Sequence, residues 1–312
     1  MKIIFFGTDL FAKEILSFLL ERELSIVAVV TQPDKPKGRD QNLSPPPVKE
    51  FLQERRWDGA IFQPERASRP EFVEVLQRLE PDLFVVVSYG QLLKQNLLDL
   101  PRLGAINVHP SLLPKYRGPS PIQSAVLAGE KEVGTTIMEM VLAMDAGDIL
   151  RMQKLSLGEE TTFGEIEKEL CDLSKKLLIE TIRDLRSGSV KKEPQKESEA
   201  LYTKKITSLD SVIDWQRSKE ELCNFVRGMN PRPGARCFVE VQGKKLLLKI
   251  FRVKRSEEKG GRPGEVLFFD AKRGFHVACG DGAIAIEELQ IEGKKKMTTL
   301  DFIKGINSIT IL

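Results

Sequence analysis

Of the two histidines in this 312-residue sequence, His109 stands in a setting suited to chemistry. Asn107-Val108-His109 closes a run that begins at Ala105 and is stopped by Pro110. Read as a strand, the run sends Asn107 and His109 out of the same face. An amide donor then stands beside an imidazole that can hold or pass a proton near neutral pH. Ser111-Leu112-Leu113-Pro114-Lys115-Tyr116-Arg117-Gly118 follows, then Pro119-Ser120-Pro121-Ile122-Gln123, a proline-stiffened loop able to wall a pocket. Met144-Asp145-Ala146-Gly147-Asp148 comes after another apolar run, Thr135 to Val141. Asp145 could orient and charge-stabilise His109, or take the proton from an attacking amine. Each feature also has a plainer use. Asn107 and His109 would serve as hydrogen-bonded groups at a strand end, the loop as a stiff connection, and Asp145 as a turn former.

The flanking pattern supplies a frame for these residues. Lys2 to Phe6 reads as a buried strand, Phe11, Ile15, Leu16 and Leu19 recur at helical spacing, and Ser25 to Val30 is again a strand. Strand, helix and strand in that order imply a parallel sheet with right-handed crossovers. The alternation continues with helices at about 47–55 and 70–79, a short strand at Ala60-Ile61-Phe62 and the apolar run Leu83 to Val87. Ser120-Pro121 opens a helix that Gly129 closes, and a long amphipathic helix spans about Phe163 to Arg186. In an open parallel sheet, ligands bind beyond the carboxyl ends of the strands, where His109 falls.

Past that helix the composition changes. Residues 187–199 are almost free of apolar side chains and read as an exposed linker. Beyond it the period shortens to two, with turn signals at Gln242-Gly243, Lys272-Arg273-Gly274 and Gly280-Asp281-Gly282. The expected architecture is an α/β domain over 1–188 with a Rossmann-like, mostly parallel sheet. A linker over 189–205 and an antiparallel OB-like β-barrel over 206–312 complete it.

Residues 189–312 hold 24 Lys+Arg and 17 Asp+Glu, a net of +7, whereas the remainder holds 24 and 28, a net of −4. A basic C-terminal half suits a polyanionic partner. Hydrophobic residues make up 41%, enough for packed cores. No apolar run approaches the ~20 residues of a bilayer span and no secretory signal is present, so a cytoplasmic protein without a membrane association is expected. Cys171, Cys223, Cys237 and Cys279 form no Cys-x-x-Cys pair, so buried thiols and no metal site are expected.

The two loops together, His109-Pro110-Ser111-Leu112-Leu113-Pro114 and Asp145-Ala146-Gly147-Asp148, resemble the folate-dependent formyltransferase family. The resemblance extends over nearly the whole chain. Phe6-Gly7-Thr8 with Phe11-Ala12, Val87-Ser88-Tyr89-Gly90, Ile213-Asp214-Trp215, Asn230-Pro231-Arg232-Pro233 and Gly280-Asp281-Gly282 also match. Gln32-Pro33-Asp34 and Gly38-Arg39 resemble the loop that, in the branch acting on initiator tRNA, enters the acceptor end. Two departures stand out: Gly7-Thr8-Asp9-Leu10 replaces a usual Gly-Thr-Pro-Asp, and Asp40-Gln41-Asn42 stands where lysines are common.

The resemblance implies formyl transfer from 10-formyltetrahydrofolate to the amino group of methionyl initiator tRNA, without a metal. Asn107, His109 and Asp145 would be catalytic. Ser88, Tyr89 and Gly90, with Ser111, Leu112, Leu113 and Pro114, would hold the folate. Lys35, Lys37, Arg39, Lys204, Lys205, Arg227, Arg232 and Arg236 would meet tRNA phosphates. Lys294-Lys295-Lys296 reads first as a solvated turn. A monomer is expected. The alternative within the family is formylation of a nucleotide-linked amino sugar. A dinucleotide oxidoreductase fits poorly, because the first turn has only Gly7 in place of three glycines.

Overall fold

The computed structural model describes residues 1–37, 42–306 and 308–312. The chain divides into two compact units. One comprises Met1–Pro121, Val133–Leu155 and Glu167–Thr203; the other comprises Ile122–Glu132, Ser156–Ile166 and Lys204–Leu312. The division therefore interleaves the chain.

In chain order the elements up to residue 187 are β1 (Ile3–Gly7), α1 (Leu10–Glu21), β2 (Ile26–Val30), β3 (Lys35–Lys37), β4 (Asn42–Ser44), α2 (Pro47–Glu54), β5 (Ala60–Phe62), α3 (Pro70–Gln77), β6 (Leu83–Val87), α4 (Gln95–Leu98), β7 (Ala105–His109), α5 (Pro121–Leu127), β8 (Glu132–Glu139), β9 (Ile149–Ser156) and α6 (Phe163–Ser187). The sheet of the first unit has the order β5-β2-β1-β6-β7-β8-β9. From β5 to β7 neighbouring strands are parallel. Every residue of β1 and β6 is buried, which is why these strands read as unbroken apolar runs and not as alternation. Asp9, at the first departure from the family pattern, caps α1 by accepting from Ala12 N at 2.9 Å.

β8 runs antiparallel to β7, with Asn107 opposite Met138 and His109 opposite Thr136. Its carboxyl end therefore lies beside the start of β7, where Met140 N donates to Ala105 O. The strand also starts and stops earlier than the apolar run suggests, and Val141 is left exposed.

The second unit is built on α7 (Lys219–Met229), β10 (Ala235–Val241), β11 (Lys244–Ser256), β12 (Val266–Asp270), β13 (Gly274–Cys279), β14 (Gly282–Ile291), β15 (Met297–Thr298), α8 (Thr299–Ile303) and β16 (Thr310–Ile311). Its sheet, ordered β12-β13-β14-β11-β10-β16, is an antiparallel, nearly closed barrel. Register shifts between Ile250 and Val253 bend the long β11, as bulges do, and let the sheet curl. Ser218 and Glu221 form a capping box at the start of α7. That helix inserts Leu222, Phe225, Val226 and Met229 into a core with Val239, Leu248, Ile250, Phe275 and Ile284. Cys171, Cys237 and Cys279 are buried free thiols and Cys223 is half-buried. Burial pushes the Cys237 thiol up to about 12. Among the described residues no helix is long and apolar enough to cross a membrane.

Candidate active site

The register of β6 on β7 pairs Val86 with Asn107, so Ser88 and His109 leave the sheet at the same level. Ser88 adopts φ 45° and Gly90 φ 85°; both are exposed, while Tyr89 between them is turned inward. Tyr89 packs edge-on against Phe6 with centroids 5.3 Å apart, and burial raises its hydroxyl pKa. That hydroxyl and Gln32 Nε2 are buried without a hydrogen-bond partner among the described residues. Thr8 Oγ1 fixes the turn by donating to Tyr89 O at 2.9 Å. Of the three folate candidates on this turn, Ser88 and Gly90 thus present surface, and Tyr89 supplies a backbone.

The loop after β7 is shaped from within. Ser111 is buried and its hydroxyl donates to Lys115 O at 2.8 Å, while Ser111 O accepts from Thr136 Oγ1 at 2.7 Å. Leu113 is buried against Met138 and Ile149. These two residues, expected at the folate, use their side chains to hold the loop; Leu112 and Pro114 are half-buried.

His109 is 4% exposed. Its Nε2 lies 3.0 Å from Tyr116 O, an atom that can only accept, so Nε2 carries a proton. Nδ1 is thereby the basic nitrogen, and it faces Asp145 Oδ2 at 3.7 Å. Asp145 arrives from an unexpected direction. Because β8 is antiparallel, the loop after it starts beside Ala105 and folds back to bring the carboxylate to the other two residues. Oδ2 accepts from Gly118 N at 2.7 Å, and Oδ1 accepts from Asn107 Nδ2 at 3.4 Å. Asp145 holds φ 51° and Tyr116 φ 63°, left-handed conformations that disfavour a side chain. Three such residues, counting Ser88, lie around one set of polar groups. The arrangement offers an amide with a second N–H free of Asp145, an imidazole with its basic nitrogen next to a carboxylate, and a sheet edge open to a ligand.

The basic candidates divide. Lys35 is exposed on β3, which pairs with β4, and the backbone of Lys37 pairs with Asn42; Arg39 lies outside the described residues. Lys204, Lys205 and Arg232 are exposed and Arg236 is half-buried. Arg227 is 7% exposed, and its guanidinium donates to Asn224 Oδ1, Gly158 O and Thr161 O. Burial lowers its pKa, and its Nε and Nη1 donors are spent within the protein, so it acts as a structural clamp. His276 bonds Ser256 at 2.8 Å within the barrel. Among the described residues no group of three or more His, Cys, Asp or Glu converges as metal ligands do.

The family described as "Formyl transferase" matches residues 1–182, and "Formyl transferase, C-terminal domain" matches 205–307. The chain belongs to the formyl transferase family. Among its relatives in that family, the methionyl-tRNA formyltransferase of Protochlamydia amoebophila is 44% identical over 98% of this chain and 96% of its own. The protein of the same name from Thermotoga maritima is 40% identical over 96% and 93%. Solved structures with the same fold include HypX from Aquifex aeolicus in complex with tetrahydrofolic acid, at TM-score 0.64 and 21% identity. The alignment covers 98% of this chain but 48% of HypX, so the chain spans about half the length of that protein. An N-formyltransferase from Helicobacter canadensis, in complex with folinic acid and dTDP-3-aminofucose, aligns over 92% of this chain and 99% of its own at TM-score 0.61 and 16% identity.

The contacts that sequence reasoning missed are Tyr116 O, Gly118 N and the segment after α6. Gln195 Nε2 donates to Asp145 O at 2.9 Å and to Gly147 O at 2.7 Å. Every residue carries a backbone N–H or C=O, so nothing in the type of Tyr116 or Gly118 announces these roles. Gln195 sits in a stretch whose composition is that of a linker.

Proposed function

We propose that this formyl transferase moves the formyl group of 10-formyltetrahydrofolate to the α-amino group of methionyl initiator tRNA, giving formylmethionyl-tRNA for translation initiation in the cytoplasm. The observation that carries the reading is the convergence of Asn107, His109 and Asp145 at one sheet edge, in a chain more than 40% identical over nearly its whole length to methionyl-tRNA formyltransferases.

The donor supplies an activated formyl carbon and a nitrogen leaving group. The second N–H of Asn107 suits the formyl oxygen, where negative charge develops as the amine nitrogen bonds to carbon. A proton at His109 Nδ1 puts a positive charge 3.7 Å from Asp145, which favours that form during the reaction. From there the proton can pass to the departing folate nitrogen, as the bond between that nitrogen and the formyl carbon breaks. The amine loses its proton to Asp145 or to solvent, leaving an amide. Ser88 and Gly90, with Leu112 and Pro114, border the space suited to the folate. Lys35, Lys37, Arg39, Lys204, Lys205, Arg232 and Arg236 are the proposed phosphate contacts.

The test is acceptor competition. The chain is given 10-formyltetrahydrofolate with either methionyl initiator tRNA or a UDP-linked amino sugar, and formyl incorporation is followed. Turnover on the tRNA is expected; turnover on the sugar alone would transfer the same chemistry to the other acceptor.

A further inference from the structure

The stretch after α6 lies across the active-site loops as a strap. Glu193 and Ile149 exchange two backbone hydrogen bonds, at 2.8 and 2.9 Å. Leu201 N donates to Pro114 O, Arg117 N to Leu201 O, and Thr203 N to Arg117 O. Between these anchors the Gln195 side chain turns inward. Gln195 Nε2 brackets the Asp145 turn by donating to Asp145 O and Gly147 O, while Gln195 Oε1 accepts from Arg117 Nε at 3.1 Å and Nη2 at 3.0 Å. Arg117 only donates, so the amide has a single workable orientation: oxygen toward Arg117 and nitrogen toward the turn. Arg117 is 1% exposed and also bonds Glu197 and Tyr202. Its chain neighbours are the two residues that hold the reacting groups, Tyr116 through His109 and Gly118 through Asp145.

We infer that Gln195 is a positioning residue for the Asp145 carboxylate. The turn it brackets contains a non-glycine residue at φ 51°, a conformation that persists only where its surroundings hold it. Gly118 N holds the carboxylate end of Asp145; Gln195 holds its carbonyl end and that of the Gly147 peptide. Without Gln195 both carbonyls lose their donor and the turn gains the freedom to relax toward ordinary φ values. Asp145 then leaves its place beside His109 Nδ1. The strap itself stays, because its five backbone bonds do not involve the Gln195 side chain.

The inference rests on the formyl-transfer reading, which wild-type turnover tests independently. The experiment measures kcat and both KM values for wild type, Gln195→Ala, Gln195→Glu, Asp145→Asn and the two double variants, with melting of each. Gln195→Ala is expected to lower kcat about 10- to 100-fold, the range of a displaced supporting contact, with each KM within about twofold. Gln195→Glu keeps an acceptor for Arg117 and removes the donors, so it should lose as much as Gln195→Ala. In the Asp145→Asn background either substitution should cost less than about twofold more, because residues that act through one group are not additive. Wild-type kcat in Gln195→Ala would overturn the inference. So would rescue by Gln195→Glu, a change confined to the KM for tRNA, or an undiminished loss in the double variants. Should Gln195→Ala fail to fold, Gln195→Glu carries the same comparison. An inactive wild type would sink the reading instead, before any variant is compared.

Discussion

Asp145→Asn isolates the electrostatic part of the proposed active site. The change removes a negative charge and almost no volume. An amide in this place satisfies Gly118 N only through its oxygen, since its NH2 there would oppose another donor. The oxygen therefore keeps the 2.7 Å bond and the NH2 replaces Oδ1, facing the amide of Asn107. The turn is retained, the charge is gone, and Asn107 loses its acceptor. The magnitude follows from the 3.7 Å between Asp145 Oδ2 and His109 Nδ1. Two unit charges at that distance interact by about 4 kcal/mol at an effective dielectric constant of about 20. The side chains are 14% and 5% exposed, so water screens the pair in part, and about 2–4 kcal/mol is a reasonable range. If His109 is charged in the transition state, kcat should fall about 30- to 1,000-fold. The assay is single-turnover formylation with both substrates saturating, beside folate affinity and unfolding by urea. Folate affinity should stay within about threefold and stability within about 1 kcal/mol, because the Gly118 bond survives. A kcat within about threefold of wild type would refute the charge argument, and parallel losses in folate affinity would point to a collapsed loop.

Other expectations follow from the same structure. Arg39→Ala should lower kcat/KM for charged initiator tRNA and spare folate affinity; unchanged tRNA kinetics would reject a role at the acceptor end. Arg227→Met should cost about 2–4 kcal/mol in urea unfolding, because the carbonyls of Gly158 and Thr161 lose their buried donor. Its KM for tRNA should not move, and a raised KM with full stability would restore the phosphate role. The Asp34 carboxyl is held below its ordinary value of 3.8 by the Gln63 amide and then by Lys49. A depressed carboxyl stabilises the fold above its unfolded pKa and loses that contribution as pH falls through the folded one. The stability gap between wild type and Asp34→Asn should therefore be full at pH 6 and shrink below about pH 3.8; a gap independent of pH would show that the charge is not what matters.

Much of this protein is legible in its sequence, for reasons that are local. The unbroken apolar runs of β1 and β6 report strands covered on both faces. Two-residue spacing placed Asn107 and His109 on one face. The Ser218 and Glu221 pair, at capping-box spacing, marks the start of α7. Residue type and spacing suffice wherever a neighbour in the chain is also a neighbour in space.

The remainder depends on pairings between distant segments. A run of apolar residues has no direction written into it, so nothing in Thr135 to Val141 says that β8 turns antiparallel and that the following loop must fold back to deliver Asp145. Basic residues read as a class until packing separates them: Arg232 stays at the surface over Phe163, and Arg227 goes inside to clamp two carbonyls. Polar composition identifies 187–199 as exposed, which it mostly is, and cannot show that Gln195 points inward between anchored ends. The sequence by itself determined the fold class and the family, because these are carried by residue identity, and it proposed the three side chains with chemistry. Only the tertiary structure decided which groups hold them in place. The holding is done by Tyr116 O, Gly118 N and one glutamine, and long-range packing alone brings such groups within hydrogen-bond distance.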